Sequence, residues 1–221
     1  MQVAGSVGEA DEATVVGMLA GASGLTSLRV SPATPLLRCP SALAALCRTS
    51  GLQHLELRHH QMSPAADFPD SDAAAAFTTA VRRLTRITAL DLRHCGIDER
   101  FLDAGFDCAL SELSQLHSIA LSDNLLRGAV PPLAAAALEL PHIQEVDVSN
   151  NGYPVLLGPE GSWGDSEGPS EGSASGSIGE MQALLQVAAA RGVCLKHGDD
   201  LERAVSCQSS QGDGSAARFR V

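Results

Sequence analysis

Residues 87–97 read ITALDLRHCGI, residues 116–126 read LHSIALSDNLL, and residues 143–153 read IQEVDVSNNGY. With the first residue counted as offset 0, each segment has apolar residues at offsets 0, 3 and 5. Each also has Cys or Asn at offset 8 and a large apolar or aromatic residue at offset 10. Self-similarity of this kind indicates a repeat architecture, which decides the fold before any other feature is considered.

Weaker copies of the segment extend the series in both directions. Residues 25–35 (LTSLRVSPATP) and 52–62 (LQHLELRHHQM) keep the apolar offsets, and Val193 and Leu195 suit offsets 3 and 5 of a partial sixth copy. The first five copies begin 27, 35, 29 and 27 residues apart, which suits a unit of one short strand and one helix. Between the copies, Asp, Ser or Pro stands where a helix would begin and Gly where one would end. These residues predict helices over 9–22, 41–49, 72–84, 98–104, 107–114, 132–140 and 178–191.

The pattern resembles leucine-rich repeat proteins of the ribonuclease-inhibitor-like class. The resemblance implies an α/β fold, a right-handed solenoid curved as a horseshoe arc, with a concave parallel β-sheet and convex helices. The predicted organisation has five parts. They are an N-terminal helix that caps the array (1–24), repeats one to five (25–157), a disordered acidic Gly/Ser-rich insert (158–177), the last helix with a partial terminal repeat (178–200) and a flexible polar tail (201–221).

Strand geometry assigns each offset to a face of the sheet. Side chains alternate along a strand, so offsets 3 and 5 point inward and offset 4 points outward. The small polar residue at offset 8 is expected to hydrogen-bond the buried backbone of the turn from inside, because buried polar groups need partners. Cys95, Asn124 and Asn151 hold this position.

The outward offsets 4, 6 and 7 predict the binding surface. Equal offsets on adjacent strands are lateral neighbours, so Arg and His side chains of the second and third units are expected to form one patch with acids beside it. The predicted contact residues are Glu56, Arg58, His59, Asp91, Arg93, His94, Asp123, Asp147 and Asn150. The alternative is an ordinary solvated face that contacts nothing in particular.

Two other features have residue types that occur in binding sites. His59 and His94 are interleaved with Arg, whose charge repels a cation, so no metal site is expected. Trp163 lies in the acidic insert and could order on binding a partner, but a chance aromatic in a tolerated loop is the favoured interpretation.

Composition and charge narrow the class of partner. The formal net charge is −11, which disfavours nucleic acid and anionic membranes and favours a basic partner. No signal peptide or membrane-spanning run is evident. The six cysteines show no C-x-x-C spacing and are expected to be buried free thiols, which predicts a cytoplasmic protein.

No catalytic motif is evident, and no cofactor, metal or small-molecule substrate is expected. The predicted function is therefore non-catalytic protein–protein interaction, as a scaffold or adaptor whose partner binds the concave face. Two alternatives stay open: a regulator or activator of a small GTPase, as some relatives in the resembled class are, and a structural subunit of a cytoskeletal or other assembly.

Overall fold

A computed structural model describes residues 12–21, 24–30, 40–58, 71–152 and 172–197. The strands are β1 (Ser27–Val30), β2 (His54–Leu57), β3 (Ala89–Asp91), β4 (Ser118–Ala120), β5 (Glu145–Asp147) and β6 (Cys194–Lys196). The helices are α1 (Glu12–Gly21), α2 (Pro40–Leu46), α3 (Ser71–Arg83), α4 (Arg100–Asp103), α5 (Phe106–Ser111), α6 (Val130–Leu138) and α7 (Gly172–Arg191). A short 3-10 helix, Arg127–Ala129, leads into α6.

The strands form one six-stranded sheet in which sequence order equals spatial order and every neighbouring pair is parallel. This architecture confirms the predicted α/β class with a parallel sheet. The central strand residues align in one row across the sheet: Leu28, Leu55, Leu90, Ile119, Val146 and Leu195. The first five residues of that row are the predicted offset 3 of their segments.

The predicted register of the sixth copy is wrong by two residues. Leu195 was expected at offset 5, opposite Val148, but it lies opposite Val146. The unit therefore starts at Gly192, and Val193 takes offset 1. The residue at offset 0 of this unit is Gly192, so no apolar side chain marks where the segment starts. Starts at residue 190 and at residue 192 both place Leu195 on the inner face, and the sequence does not distinguish them.

The core lies between the sheet and the helices. Leu55, Leu57, Leu90, Leu92 and Ile119 are each at most 1% exposed, as the alternation of strand side chains requires. A cluster of aromatic rings from the helices packs against the same core. Phe77 of α3, Phe101 of α4 and Phe106 of α5 have ring centroids 5.9–6.1 Å apart, in the range typical of stabilising aromatic contacts.

The helices differ from prediction at both ends. α2 ends at Leu46 rather than residue 49, and α5 ends at Ser111 rather than residue 114. α6 starts at Val130 rather than residue 132, because Pro131 and Pro132 occupy its first turn, where a missing N–H costs nothing. α7 starts at Gly172 rather than residue 178, so residues 172–177 of the predicted disordered insert are helical. The predicted break between the two helices of the third unit is present at Gly105, whose φ is +76°.

Some sequence predictions fall on residues outside the described ranges. They include His59, Trp163, residues 158–171 of the predicted insert and the predicted tail 201–221. Of the cysteines, Cys95 is buried and Cys47 half-buried, but Cys108 and Cys194 are exposed, which corrects the expectation of buried thiols for these two. No helix in the described part of the chain is both long and apolar enough to span a membrane.

Candidate functional site

One face of the sheet is turned away from the helices, and we call it the open face. Its central row comprises the offset 4 residues: Arg29, Glu56, Asp91, Ala120, Asp147 and Lys196. Charges of both signs therefore stand side by side on strands that are ~4.8 Å apart. The residues that follow the strands extend this row toward the turns.

Asp91 is the centre of the charged contacts on this face. Arg93 donates to it through two parallel hydrogen bonds, from Nε to Oδ1 at 3.0 Å and from Nη2 to Oδ2 at 2.7 Å. Arg58, from the preceding unit, donates from Nε to Oδ2 at 2.7 Å, and its Nη2 lies 2.7 Å from the same oxygen. One carboxylate thus holds the guanidinium groups of two adjacent units in place.

Glu56 continues the network toward β1. Its Oε1 atom lies 3.0 Å from Arg58 Nε and 3.1 Å from Arg29 Nε, yet neither contact has hydrogen-bond geometry. Glu56 is therefore held by charge attraction rather than by directed donors. We call the five residues together the charge ladder: Arg29, Glu56, Arg58, Asp91 and Arg93.

The contacts between Asp91 and its neighbours favour the ionised forms of Asp91 and Arg93. Burial alone would raise the pKa of Asp91, but the hydrogen bonds from Arg93 and Arg58 together outweigh burial and lower it. The hydrogen bonds to Asp91 in turn raise the pKa of Arg93. With three guanidinium groups and two carboxylates, the ladder carries one excess positive charge.

The part of the open face that lies on the later strands is acidic, and we call it the acidic side. Asp147 accepts hydrogen bonds from Ser149 Oγ at 2.6 Å and from Ser149 N at 3.2 Å. Asp123 accepts one from Asn150 Nδ2 at 3.0 Å and lies 3.3 Å from His94 Nε2. Ser and Asn are neutral donors, so they orient these carboxylates without cancelling their charge. On the last two strands, Glu145 forms an ion pair with Lys196.

The turns after the strands share an unusual backbone conformation. His94, Asp123 and Asn150, all at offset 7, have φ of 55°, 58° and 55°. This left-handed region is uncommon for residues other than Gly, and Asn, Asp and His enter it most readily. The backbone of the turn is therefore by itself a sufficient reason for His, Asp or Asn at offset 7, without any contact with a partner.

The next residue in each turn points into the core. Oδ1 of Asn124 accepts hydrogen bonds from the backbone N–H groups of Cys95 and Ile97, at 2.9 and 3.0 Å. Its Nδ2 donates to the carbonyls of Leu92 and Leu121, at 2.9 and 2.8 Å. Asn151 makes three of these four contacts one unit later: it accepts from the N–H of Leu126 and donates to the carbonyls of Leu121 and Val148. The Cys95 thiol donates to the carbonyl of Leu57. The predicted inward role of this offset is confirmed.

The predicted contact residues fall into two groups. Glu56, Arg58, Asp91 and Arg93 form one continuous network, whereas Asp123, Asp147, His94 and Asn150 lie toward the later strands and turns. His59 is outside the described residues. Arg29 was absent from the predicted set, although it shares offset 4 with Glu56 and its charge is opposite, a signal that could have identified it.

The described residues contain no group of three or more His, Cys, Asp or Glu side chains arranged to hold a metal ion. The polar groups that do converge on the open face are fixed guanidinium and carboxylate groups. Such groups can form directed ion pairs and hydrogen bonds with another molecule.

No protein-family model matches the chain, and no curated protein matches it. Among solved structures, the C-terminal domain of tropomodulin from Caenorhabditis elegans is similar to it. That likeness has a TM-score of 0.46 at 10% sequence identity and covers 91% of this chain and 100% of that chain. A likeness of this size does not place the chain in a family.

Proposed function

We propose that the chain is a leucine-rich repeat protein of the ribonuclease-inhibitor-like class, folded as a right-handed solenoid. In this proposal it is non-catalytic and binds a protein partner through the open face, which would be the concave side. The support for the repeat class is internal: five segments share one apolar pattern, and their strands align in one register. The proposed ligand is a protein, not a nucleic acid, a membrane or a small molecule.

The charge ladder is the observation that carries the proposed binding role. Asp91 is only 17% exposed, while Arg58 and Arg93 beside it are 37% and 34% exposed. The half-buried carboxylate therefore orients two guanidinium groups that still reach solvent. Side chains that are already held in one geometry lose little conformational freedom on binding, which favours affinity and specificity.

The test is affinity purification from the native cell, comparing wild type with the Arg58→Glu/Arg93→Glu variant. Proteins captured by wild type and lost from the variant would support binding at the open face. Arg82→Glu is the matched control, because Arg82 lies on α3 and is 44% exposed but pairs with Glu112 instead. If every captured protein were retained by the double variant, binding at the charge ladder would be wrong.

Regulation of a small GTPase and membership of a larger assembly stay predictions. No contact of the charge ladder favours either role over simple partner binding. A GTP hydrolysis assay with candidate GTPases would separate the first of them from the proposed function.

A further inference from the structure

Arg58 and Arg93 lie close enough to act on a single anionic group. The Nη2 atoms of both side chains lie 2.7 Å from the same oxygen of Asp91, so they are no farther apart than twice that distance. Asp91 itself demonstrates that a single carboxylate can accept hydrogen bonds from both guanidinium groups. A second carboxylate approaching from solvent would meet the same pair.

The two arginines keep donors for such a ligand. Each guanidinium has five N–H groups, and the contacts with Asp91 use Nε and Nη2 of each. Within the described part of the chain, neither Arg58 nor Arg93 donates a hydrogen bond from Nη1. Glu56 lies 3.0 Å from Arg58 Nε and 3.1 Å from Arg29 Nε, so it is shared by these two arginines, and the five residues of the charge ladder keep one excess positive charge.

We infer that Arg58 and Arg93 bind a carboxylate side chain in an acidic segment of the partner protein. This inference rests on the proposed function and specifies the chemistry of the ligand. The acidic side of the open face would restrict where such a segment lies, because Asp147 carries a charge that acts on Arg93 and would repel another carboxylate. The overall net charge of −11 opposes the same segment at long range. At 0.15 M salt, however, charges more than about 8 Å away are largely screened.

The experiment is an NMR titration of the full chain at 0.15 M salt, following the backbone amides and the Nε–Hε signals of the arginines. The probe is the peptide Gly-Glu-Glu-Glu-Glu-Gly, with the same peptide carrying Gln or Lys in place of Glu as comparison. Saturable shifts with the Glu peptide are expected at Arg58 and Arg93 and in the strands next to them. Shifts of equal size with the Gln peptide would overturn the inference.

Variants separate charge from geometry. Arg58→Met/Arg93→Met is expected to weaken Glu-peptide binding at least about tenfold, as loss of charge-assisted hydrogen bonds implies. Arg82→Met should change Glu-peptide binding less than about twofold.

Arg58→Lys/Arg93→Lys keeps the charge but cannot donate two parallel bonds, so several-fold weaker binding of the Glu peptide is expected. Asp147→Asn should strengthen binding about twofold by removing a nearby like charge.

The outcomes distinguish this inference from the proposed function. A partner whose capture depends on Arg58 and Arg93, together with no saturable Glu-peptide binding, would leave the proposed function standing and overturn the carboxylate ligand. The chain could instead bind the Lys peptide more tightly than the Glu peptide and lose that binding in Asp123→Asn/Asp147→Asn. This result would overturn the carboxylate ligand and would assign binding to Asp123 and Asp147. Glu-peptide binding unchanged in Arg58→Met/Arg93→Met would also overturn it.

Discussion

Asn124 lies where the backbone leaves β4, and its amide replaces the hydrogen bonds that a regular strand would have made. It joins the turn of its own unit to the turn of the preceding one through buried backbone groups. Asn151 repeats the arrangement. Because five backbone groups hydrogen-bond to the one side chain of Asn124, it contributes strongly to burying the polar backbone of the turn.

Asn124→Ala is expected to lower the free energy of unfolding by about 2–4 kcal/mol, because it leaves several buried backbone groups without partners. Urea denaturation would measure the change. Asn150→Gly is the control: its φ of 55° suits Gly, its one side-chain hydrogen bond is exposed, and a change within about 0.5 kcal/mol is expected. Equal losses in the two variants would contradict the role of the inward amide.

Asp91 should make stability depend on pH in the acidic range. Its pKa is lowered from the ordinary 3.8 in the folded protein, so its contribution is complete above pH 3.8 and is lost as the pH falls through the folded value. The difference in unfolding free energy between wild type and Asp91→Asn should therefore be constant near neutral pH and shrink below pH 3.8. Thermal or urea unfolding across that range would show it, and a difference that stayed constant would contradict the prediction.

At the scale of helices and strands, the sequence predicted the register of the central strands better than it predicted the last strand or the ends of the helices. The register of five strands followed from the apolar offsets, because a shift of one residue would turn every Leu out of the core. The sixth register was missed because Leu195 satisfies that rule in two spacings and the segment has no other anchor. The start of α6 was missed because two prolines indicate both a turn before a helix and the first turn within one.

The pairing within the charge ladder was also beyond the sequence. Lateral neighbours could be predicted from equal offsets, and this placed Arg58 beside Arg93 and Glu56 beside Asp91. Whether the arginines point to solvent or to Asp91 depends on how far each long side chain bends back over the strand. The sequence leaves that choice open, so it predicted a patch of Arg and His with Glu56 and Asp91 beside it, but not which of these side chains pair.

Two glycines in helical regions should respond oppositely to substitution by Ala. Gly105 separates α4 from α5 with a φ of +76°, so Ala there should cost about 1–2 kcal/mol. Gly179 lies within α7 and a Cβ there would meet nothing within 4 Å, so Ala should stabilise by about 0.5–1 kcal/mol. Urea denaturation of both variants measures the difference, and the same sign in both would contradict the assigned backbone conformations.

Across the whole molecule, each unit packs mainly against the units next to it in sequence. Helices pack on neighbouring helices and strands pair with neighbouring strands, in the same order as the chain. A core of this kind is filled from both sides in the middle and from one side at each end. The central Leu90 is 1% exposed, whereas Leu28 and Leu195, on the first and last strands, are only partly buried.

Leu90→Ala should therefore cost about 2–5 kcal/mol, as large-to-small changes in a closed core do. The same change at Leu195 removes less buried area and should cost about 1 kcal/mol. Hydrogen exchange gives an independent measure, since amides of β3 and β4 should exchange more slowly than those of β1 and β6. Equal costs and uniform exchange would indicate that the ends are as well packed as the centre.

The order of strands in the sheet also bears on how the molecule would respond to mechanical load. Tension applied through the described ends would act across a row of strands that are held one to the next, with β1 and β6 at opposite edges. Strands would be released from an edge in turn, and each release would free the residues between neighbouring strands: 27 to 35 residues from β1 to β5 and 49 from β5 to β6, where Val146 pairs with Leu195. The protein would therefore extend in discrete steps under force, one repeat unit at a time, and would refold in the reverse order when the force is removed.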